Sequence, residues 1–209
     1  MARLLLVRHG ESTWNARGRW QGWADPPLTD LGRAQAEAAA PAAAPVDAVV
    51  SSDLQRARTT AELMAAVLEI DDVLVEPGLR ERDVGDYTGL TRAEIEERWP
   101  GSLSQGGNAS IARNPRDAHF GESIEELAAR VNAALARLAA TFAGQRVLVI
   151  THGGVVRNLE RSFGIEPDPL PNLAGREAAV HPESGAVELG ERVLLLSPED
   201  VPVTVPKQL

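Results

Sequence analysis

Arg3-Leu4-Leu5-Leu6-Val7-Arg8-His9-Gly10 and Arg146-Val147-Leu148-Val149-Ile150-Thr151-His152-Gly153-Gly154 share one pattern. Each is an apolar run without alternation that ends in histidine and glycine. Such a run predicts a strand buried on both faces, and strands of that kind belong to parallel sheets covered by helices. Val46 to Val50 predicts another, ending at Ser51-Ser52, and Val73 to Val75 a short further one.

Helical signals lie between them. Thr29 is an N-cap, and the Ala-rich run after it extends to Ala40, with Pro41 and Pro45 as stops. Asp53 to Ile70 places Leu54, Ala57, Ala61, Met64 and Leu68 on one helical face. Thr91 with Glu94, and Ser123 with Glu126, have capping-box spacing. The first predicts a helix to Trp99, the second a helix to about Ala143 before Gly144. Another helix follows His152 to Phe163. Glu11 to Leu28 reads as a long functional loop and Gly101 to His119 as a flap. Gly185–Leu189 and Arg192–Ser197 read as a hairpin across Gly190-Glu191, and the tail from Pro198 as irregular.

Strands alternating with helices predict an α/β sandwich with a mostly parallel central sheet. Ligands of such sheets bind beyond the carboxyl ends of the strands. Arg8-His9-Gly10, Ser51-Ser52 and His152-Gly153-Gly154 all fall at strand exits.

Composition narrows the function. The chain has 209 residues, 44% of them apolar, which suits one sizeable domain with a real core. No run approaches the roughly 18 apolar residues of a membrane span, and the N-terminal apolar run is too short for a secretory signal. Cysteine is absent, so folding needs no disulfide and thiolate chemistry is excluded. A cytoplasmic location is expected. The net charge of −9 disfavours nucleic acid as a partner but admits a small anionic substrate in a cleft of concentrated positive charge. Arg8 and Arg56 beside His9 and His152 would repel a divalent cation and attract an oxyanion. An Arg near the start of a helix, as Arg56 is, opposes the helix dipole unless an anion lies nearby.

The segment Leu6-Val7-Arg8-His9-Gly10-Glu11-Ser12-Thr13-Trp14-Asn15 resembles the signature of the histidine phosphatase superfamily, in its phosphoglycerate mutase-like branch. Further segments resemble that branch in order. They are Gln21-Gly22 with Asp25-Pro26-Pro27-Leu28-Thr29, Gly32-Arg33-Ala34-Gln35-Ala36, and Ser51-Ser52-Asp53-Leu54-Gln55-Arg56-Ala57. Leu79-Arg80-Glu81-Arg82-Asp83-Val84-Gly85, Gly121-Glu122-Ser123 and Val149-Ile150-Thr151-His152-Gly153-Gly154 complete the set. The resemblance spans about residues 3 to 160. It implies a three-layer α/β/α sandwich of the phosphoglycerate mutase-like kind, as a single domain over 1–209 with a small flap at about 91–121.

The same resemblance implies the site. His9 would be the nucleophile that becomes phosphohistidine, and Glu81 the proton donor and acceptor. Arg8, Arg56, a protonated His152, Asn15 and Gly153 would hold the phosphate. Gln21, Gly22 and Trp20 would line the substrate mouth. A neutral imidazole is a competent nucleophile toward phosphorus, and fixed cations would neutralise charge on the transferring group in place of a metal ion. No metal and no cofactor is expected. The expected partner is a small phosphorylated substrate, without nucleic acid or membrane, and the Ala-rich helices are compatible with a homodimer. His119 and His181 take no role, and Glu122 is a second acid near the same cluster.

Three functions fit this set: a phosphatase, a bisphosphoglycerate-dependent phosphoglycerate mutase, and an inactive phospho-ligand binding module. The stretch from Pro100 to Gly121 is short, Arg113 and Arg116 are not adjacent, and Arg19-Trp20-Gln21-Gly22 resembles broad-specificity phosphatases. These features favour the phosphatase. Retention of His9, Arg8, Arg56, Glu81 and His152 disfavours the inactive module.

Overall fold

The computed structural model describes residues 1–103, 121–197 and 202. Its strands are β1 (Ala2–Arg8), β2 (Ala48–Ser51), β3 (Val73–Val75), β4 (Arg146–Thr151), β5 (Ala174–Val180) and β6 (Val187–Leu194). They form one sheet in the order β3-β2-β4-β1-β5-β6. The neighbours from β3 to β1 pair in parallel, and β5 and β6 join antiparallel.

The helices are α1 (Thr13–Ala16), α2 (Asp30–Ala43), α3 (Gln55–Val67), α4 (Arg92–Arg98), α5 (Ile124–Thr141) and α6 (Gly153–Ser162). Alternate residues of β1 feed opposite layers, as the two-residue period of a strand requires. Leu4 and Leu6 pack with Leu127, Val131 and Leu135 of α5 and Val155 and Leu159 of α6. Leu5 and Val7 pack with Ala36, Ala39 and Ala40 of α2 and Ala57, Ala61 and Met64 of α3. The result is the three-layer α/β/α sandwich, with β1 and β4 central and buried on both faces. Both predicted capping boxes form, at Thr91–Glu94 and Ser123–Glu126. Among the described residues no helix is long and apolar enough to cross a membrane.

The structure corrects several sequence expectations. Helix α2 runs through Pro41 to Ala43. Pro41 forfeits one i→i−4 hydrogen bond but falls in the last turn, where little helix remains to be kinked, and burial of Ala39, Ala40 and Ala43 against the sheet outweighs the loss. Strand β2 begins at Ala48 and α3 at Gln55, each later than expected. The expected loop from Glu11 to Leu28 contains α1, and Ser12 bridges Leu28 across it.

The expected hairpin at Gly190-Glu191 is instead the middle of β6, which pairs with the unforeseen β5. The register slips between Arg176 and Ala178, and a Cβ at Gly190 would stand 2.9 Å from Glu177 Cβ. Gly190 therefore marks a bulge and a close approach, not a turn. Most of the flap, including Arg113, Arg116 and His119, and the tail from Pro198 apart from residue 202, lie outside the described residues.

Candidate active site

The parallel register carries β1 and β4 side by side, Arg8 opposite Thr151, so His9 and His152 emerge together. Their rings meet edge to face with centroids 5.2 Å apart. His9 is buried, and its Nδ1 lies 2.6 Å from the Gly10 carbonyl oxygen, which only accepts. The proton therefore sits on Nδ1, and Nε2 keeps its lone pair. Arg56 Nε donates to that Nε2 at 3.2 Å. Burial first, then Arg56 and Arg8, hold the His9 imidazole well below the usual histidine range. The site thus holds a neutral imidazole of fixed tautomer, with the Nε2 lone pair free of a proton.

Arg56 is wholly buried. Its Nη1 donates to Ala24 O at 2.7 Å and its Nη2 to Gly22 O at 2.9 Å, which ties the 21–25 loop over the pocket. Arg8 donates through Nη1 to Leu170 O at 2.6 Å. Burial and the neighbouring Arg157 push the Arg8 guanidinium down to about 9, and burial pushes Arg56 down to about 10. Both remain cationic at neutral pH.

His152 Nε2 lies 3.0 Å from Ser52 Oγ, which also accepts from Leu54 N–H at 3.3 Å. The hydroxyl can donate to that nitrogen or accept from it, and His152 Nδ1 is buried with no partner. Burial, followed by Arg56 and His9, lowers the His152 pKa well below the ordinary value. Burial and these neighbours favour the neutral ring, which offers a single N–H donor; the protonated His152 expected from the resemblance would need the charge of an oxyanion beside it.

Glu81 joins the cluster from the segment after Leu79. Its Oε2 accepts from Gly154 N–H, at the start of α6, at 3.0 Å, and its Oε1 from Arg82 N–H at 2.7 Å. Side-chain contacts hold the 78–81 segment, two of them at the Glu81 carbonyl. Thr151 Oγ1 donates to Leu79 O at 2.8 Å, Arg80 pairs with Asp53, Trp23 Nε1 donates to Glu81 O at 2.8 Å, and Arg130 reaches Gly78 O, Arg80 O and Glu81 O. Glu122 is engaged by Arg130 at 2.6 Å and 2.7 Å. Glu122 therefore supports the clamp and is not a free second acid.

Asn15 Oδ1 accepts from Ser12 N–H at 3.2 Å, and Ser12 Oγ donates to Gln21 Oε1 at 2.7 Å. Gly153 lies under the Arg8 side chain: a Cβ there would sit 3.5 Å from Arg8 Cδ. Trp20 turns instead into a satellite cluster with Tyr87, the two rings edge to face at 5.8 Å. The exposed Trp23 is the tryptophan that reaches Glu81. His181 pairs with Glu188 at 2.9 Å on the β5–β6 hairpin, apart from the cluster.

Sequence reasoning missed the segment 170–173. Beyond Leu170 O, Asn172 Nδ2 donates to His9 O at 2.7 Å, and Leu173 N–H donates to Arg8 O at 3.0 Å. Leu173 holds a left-handed backbone at φ 55, a strained state for a leucine that these contacts enforce. Polar Asn172 beside proline gave only a loop signal. Arg157, which adjoins Arg8, lies in a helix where an arginine carries no signal of its own.

A doubly wound sheet with paired histidines and buried arginines at its strand exits defines an oxyanion-handling, phosphoryl-transfer class of site. The profile of the histidine phosphatase superfamily (branch 1) matches residues 4–182, and the chain belongs to that superfamily. A metal-independent phosphoserine phosphatase of Arabidopsis thaliana is 39% identical over 163 residues, 75% of this chain and 66% of that one. A 2,3-bisphosphoglycerate-dependent phosphoglycerate mutase of Methylocella silvestris is 38% identical over 179 residues, 81% of this chain and 85% of that one. The structure of a mycobacterial glucosyl-3-phosphoglycerate phosphatase in complex with VO3 superimposes with a TM-score of 0.73 at 30% identity, covering 90% of this chain and 96% of that one. Phosphatases and mutases therefore both occur among its relatives.

Proposed function

We propose that the chain is a metal-independent phosphatase that hydrolyses phosphate monoesters through a phosphohistidine at His9. The observation that carries the reading is the His9 ring: Nδ1–H bound to Gly10 O, and Nε2 unprotonated between cationic groups. Nε2 attacks phosphorus as the ester oxygen leaves. Arg8, Arg56 and an N–H of His152 face the charge on the equatorial oxygens, with Asn15 and Gly153 beside them. Glu81, when protonated, gives its proton to the leaving alkoxide. As carboxylate it then takes one from the water that attacks phosphohistidine, releasing inorganic phosphate and free His9.

Hydrolysis is favoured over mutase transfer by the short stretch between Pro100 and Gly121 and by the phosphatase relatives. The test combines a phosphoester panel in EDTA with mass spectrometry under conditions that preserve acid-labile phosphohistidine. Phosphate release with the label on His9 is expected, and His9→Ala should show neither. Loss of activity on chelation, label on a hydroxyl residue, or transfer between hydroxyls of phosphoglycerate without phosphate release would overturn it.

A further inference from the structure

Gln35 stands behind the nucleophile turn, wholly buried on α2, and its side-chain amide is fixed at both ends. Oε1 accepts from Glu11 N–H at 2.9 Å, and Nε2 donates to Pro202 O at 2.7 Å. Both partners admit only that orientation, since an N–H cannot accept and a carbonyl cannot donate. The Glu11 N–H shares a peptide plane with Gly10 O, the atom that lies 2.6 Å from His9 Nδ1. In a trans peptide these two groups point opposite ways. Gln35 therefore holds one pole of the plane, and the His9 ring meets the other. The preceding plane is held as well. Asn172 Nδ2 donates to His9 O at 2.7 Å, and Thr60 Oγ1 accepts from Gly10 N–H at 3.1 Å while donating to Arg56 O at 2.7 Å. Gln35, Thr60 and Asn172 are all buried, so neutral side chains from α2, α3 and the 170–173 segment fix successive planes of the turn.

Turning over the Gly10–Glu11 plane would change the chemistry. An N–H would then face His9 Nδ1, and a carbonyl oxygen would face Gln35 Oε1. The imidazole would have to accept at Nδ1 and carry its proton on Nε2, the nitrogen proposed to attack. Arg56 Nε, a donor to Nε2 at 3.2 Å, favours the productive tautomer from the other end of the ring. That support is withdrawn when phosphate oxygens engage Arg56, whereas Gln35 keeps its hold on the Gly10 end. We propose that Gln35 is a positioning residue of the reaction: by holding Glu11 N–H it locks Gly10 O onto His9 Nδ1, and so keeps the attacking nitrogen free of a proton while phosphate is bound. The inference rests on the phosphatase reading and adds to it a residue that acts through the main chain.

Nitrogen-15 NMR of the histidine rings reads the tautomer without turnover, in the free chain and with saturating inorganic phosphate. Wild-type His9 should carry its proton on Nδ1 in both. Gln35→Met has the length of glutamine without the acceptor, and in its phosphate complex the Nε2–H form of His9 should gain several-fold. Its kcat should fall about tenfold, in step with the lost tautomer, while KM moves less than about threefold because Arg8 and Arg56 still meet the phosphate. Gln35→Glu keeps an acceptor for Glu11 N–H and should recover Nδ1 protonation and most of the rate. A lower thermal midpoint with an unmoved tautomer, or equal losses in Gln35→Glu and Gln35→Met, would overturn the lock. If Gln35→Met does not fold, Gln35→Asn, whose amide is one methylene shorter, takes its place under the same criteria. A wild-type chain that turns over no phosphoester, with the tautomer still dependent on Gln35, would sink the phosphatase reading and leave the lock standing.

Discussion

Arg56 Nε donates to His9 Nε2 at 3.2 Å, so the guanidinium proposed to meet the phosphate also keeps the proposed attacking nitrogen unprotonated. When a phosphoryl group arrives, its oxygens can take over that donor and release the lone pair. Removing the side chain therefore has two effects of different kinds. Arg56→Gln should lower kcat/KM by about 10²–10³-fold through lost charge stabilisation. It should also raise the His9 pKa toward the ordinary histidine value, moving the acid limb of the pH–rate profile to higher pH. NMR titration of the His9 ring separates the two effects, and an unmoved ring titration would refute the second.

Glu81→Gln tests the acid–base assignment by leaving group. An alkyl ester departs as a basic alkoxide and needs a proton, whereas an activated aryl ester does not. The variant should lose about 10²–10⁴-fold on alkyl esters in the first step. With an aryl ester it should show a burst of phosphoenzyme followed by slow hydrolysis. Equal first-step losses on both esters would make Glu81 a positioning residue.

Gly154→Ala probes the same carboxylate without altering it. The new Cβ would collide with Glu81 Oε1, the end of a flexible side chain. Turnover of alkyl esters should fall toward the level of Glu81→Gln while the thermal midpoint stays near that of the parent. A normal rate, shown beside a crystal structure with Glu81 unmoved, would contradict this.

The two buried histidines set a pH dependence of stability. His9 and His152 both have folded pKa values far below the ordinary 6.5. Below about pH 6.5 the unfolded chain takes up protons that the folded chain refuses, so stability falls as pH falls. The slope should be about 1.4 kcal/mol per pH unit for each histidine until the folded pKa is reached. Urea unfolding between about pH 7.5 and about pH 5 measures it, above the range where carboxylates such as Asp53 and Glu76 titrate. His152→Asn should remove about half the slope, and an unchanged slope would exclude His152 as a contributor.

The parallel half of the sheet was legible because its strands are uninterrupted apolar runs, and the histidines were legible because they end those runs. The capping boxes fixed the starts of α4 and α5 for a local reason: the side chains that close them lie three residues apart. Strand β5, Ala-Gly-Arg-Glu-Ala-Ala-Val, has no such pattern. Its Arg176 is half-buried and pairs with Glu160, a partner that only the fold supplies. Gly190 misled for a related reason, since a glycine needed for close approach to Glu177 carries the same letter as one needed for a turn. At the site, side chains fixed by strand exits could be foreseen. The Arg130–Glu122 clamp, Asn172 and the placement of Arg157 beside Arg8 could not, because their significance lies wholly in which distant groups surround them.

The packing of α2 on the nucleophile turn has a consequence for how substitutions in this chain will be read. A Cβ on Gly10 would run into the Gly32 carbonyl, and a Cβ on Gly32 into the Glu11 backbone, so the two glycines interlock main chain against main chain. Neither backbone can yield as a side-chain tip would. In a saturation-mutagenesis screen scored by activity, both positions should look as intolerant as His9 itself. Scored by protein abundance, they should separate from it: the glycine variants would vanish from the folded pool, while His9→Ala would accumulate as an intact, silent protein.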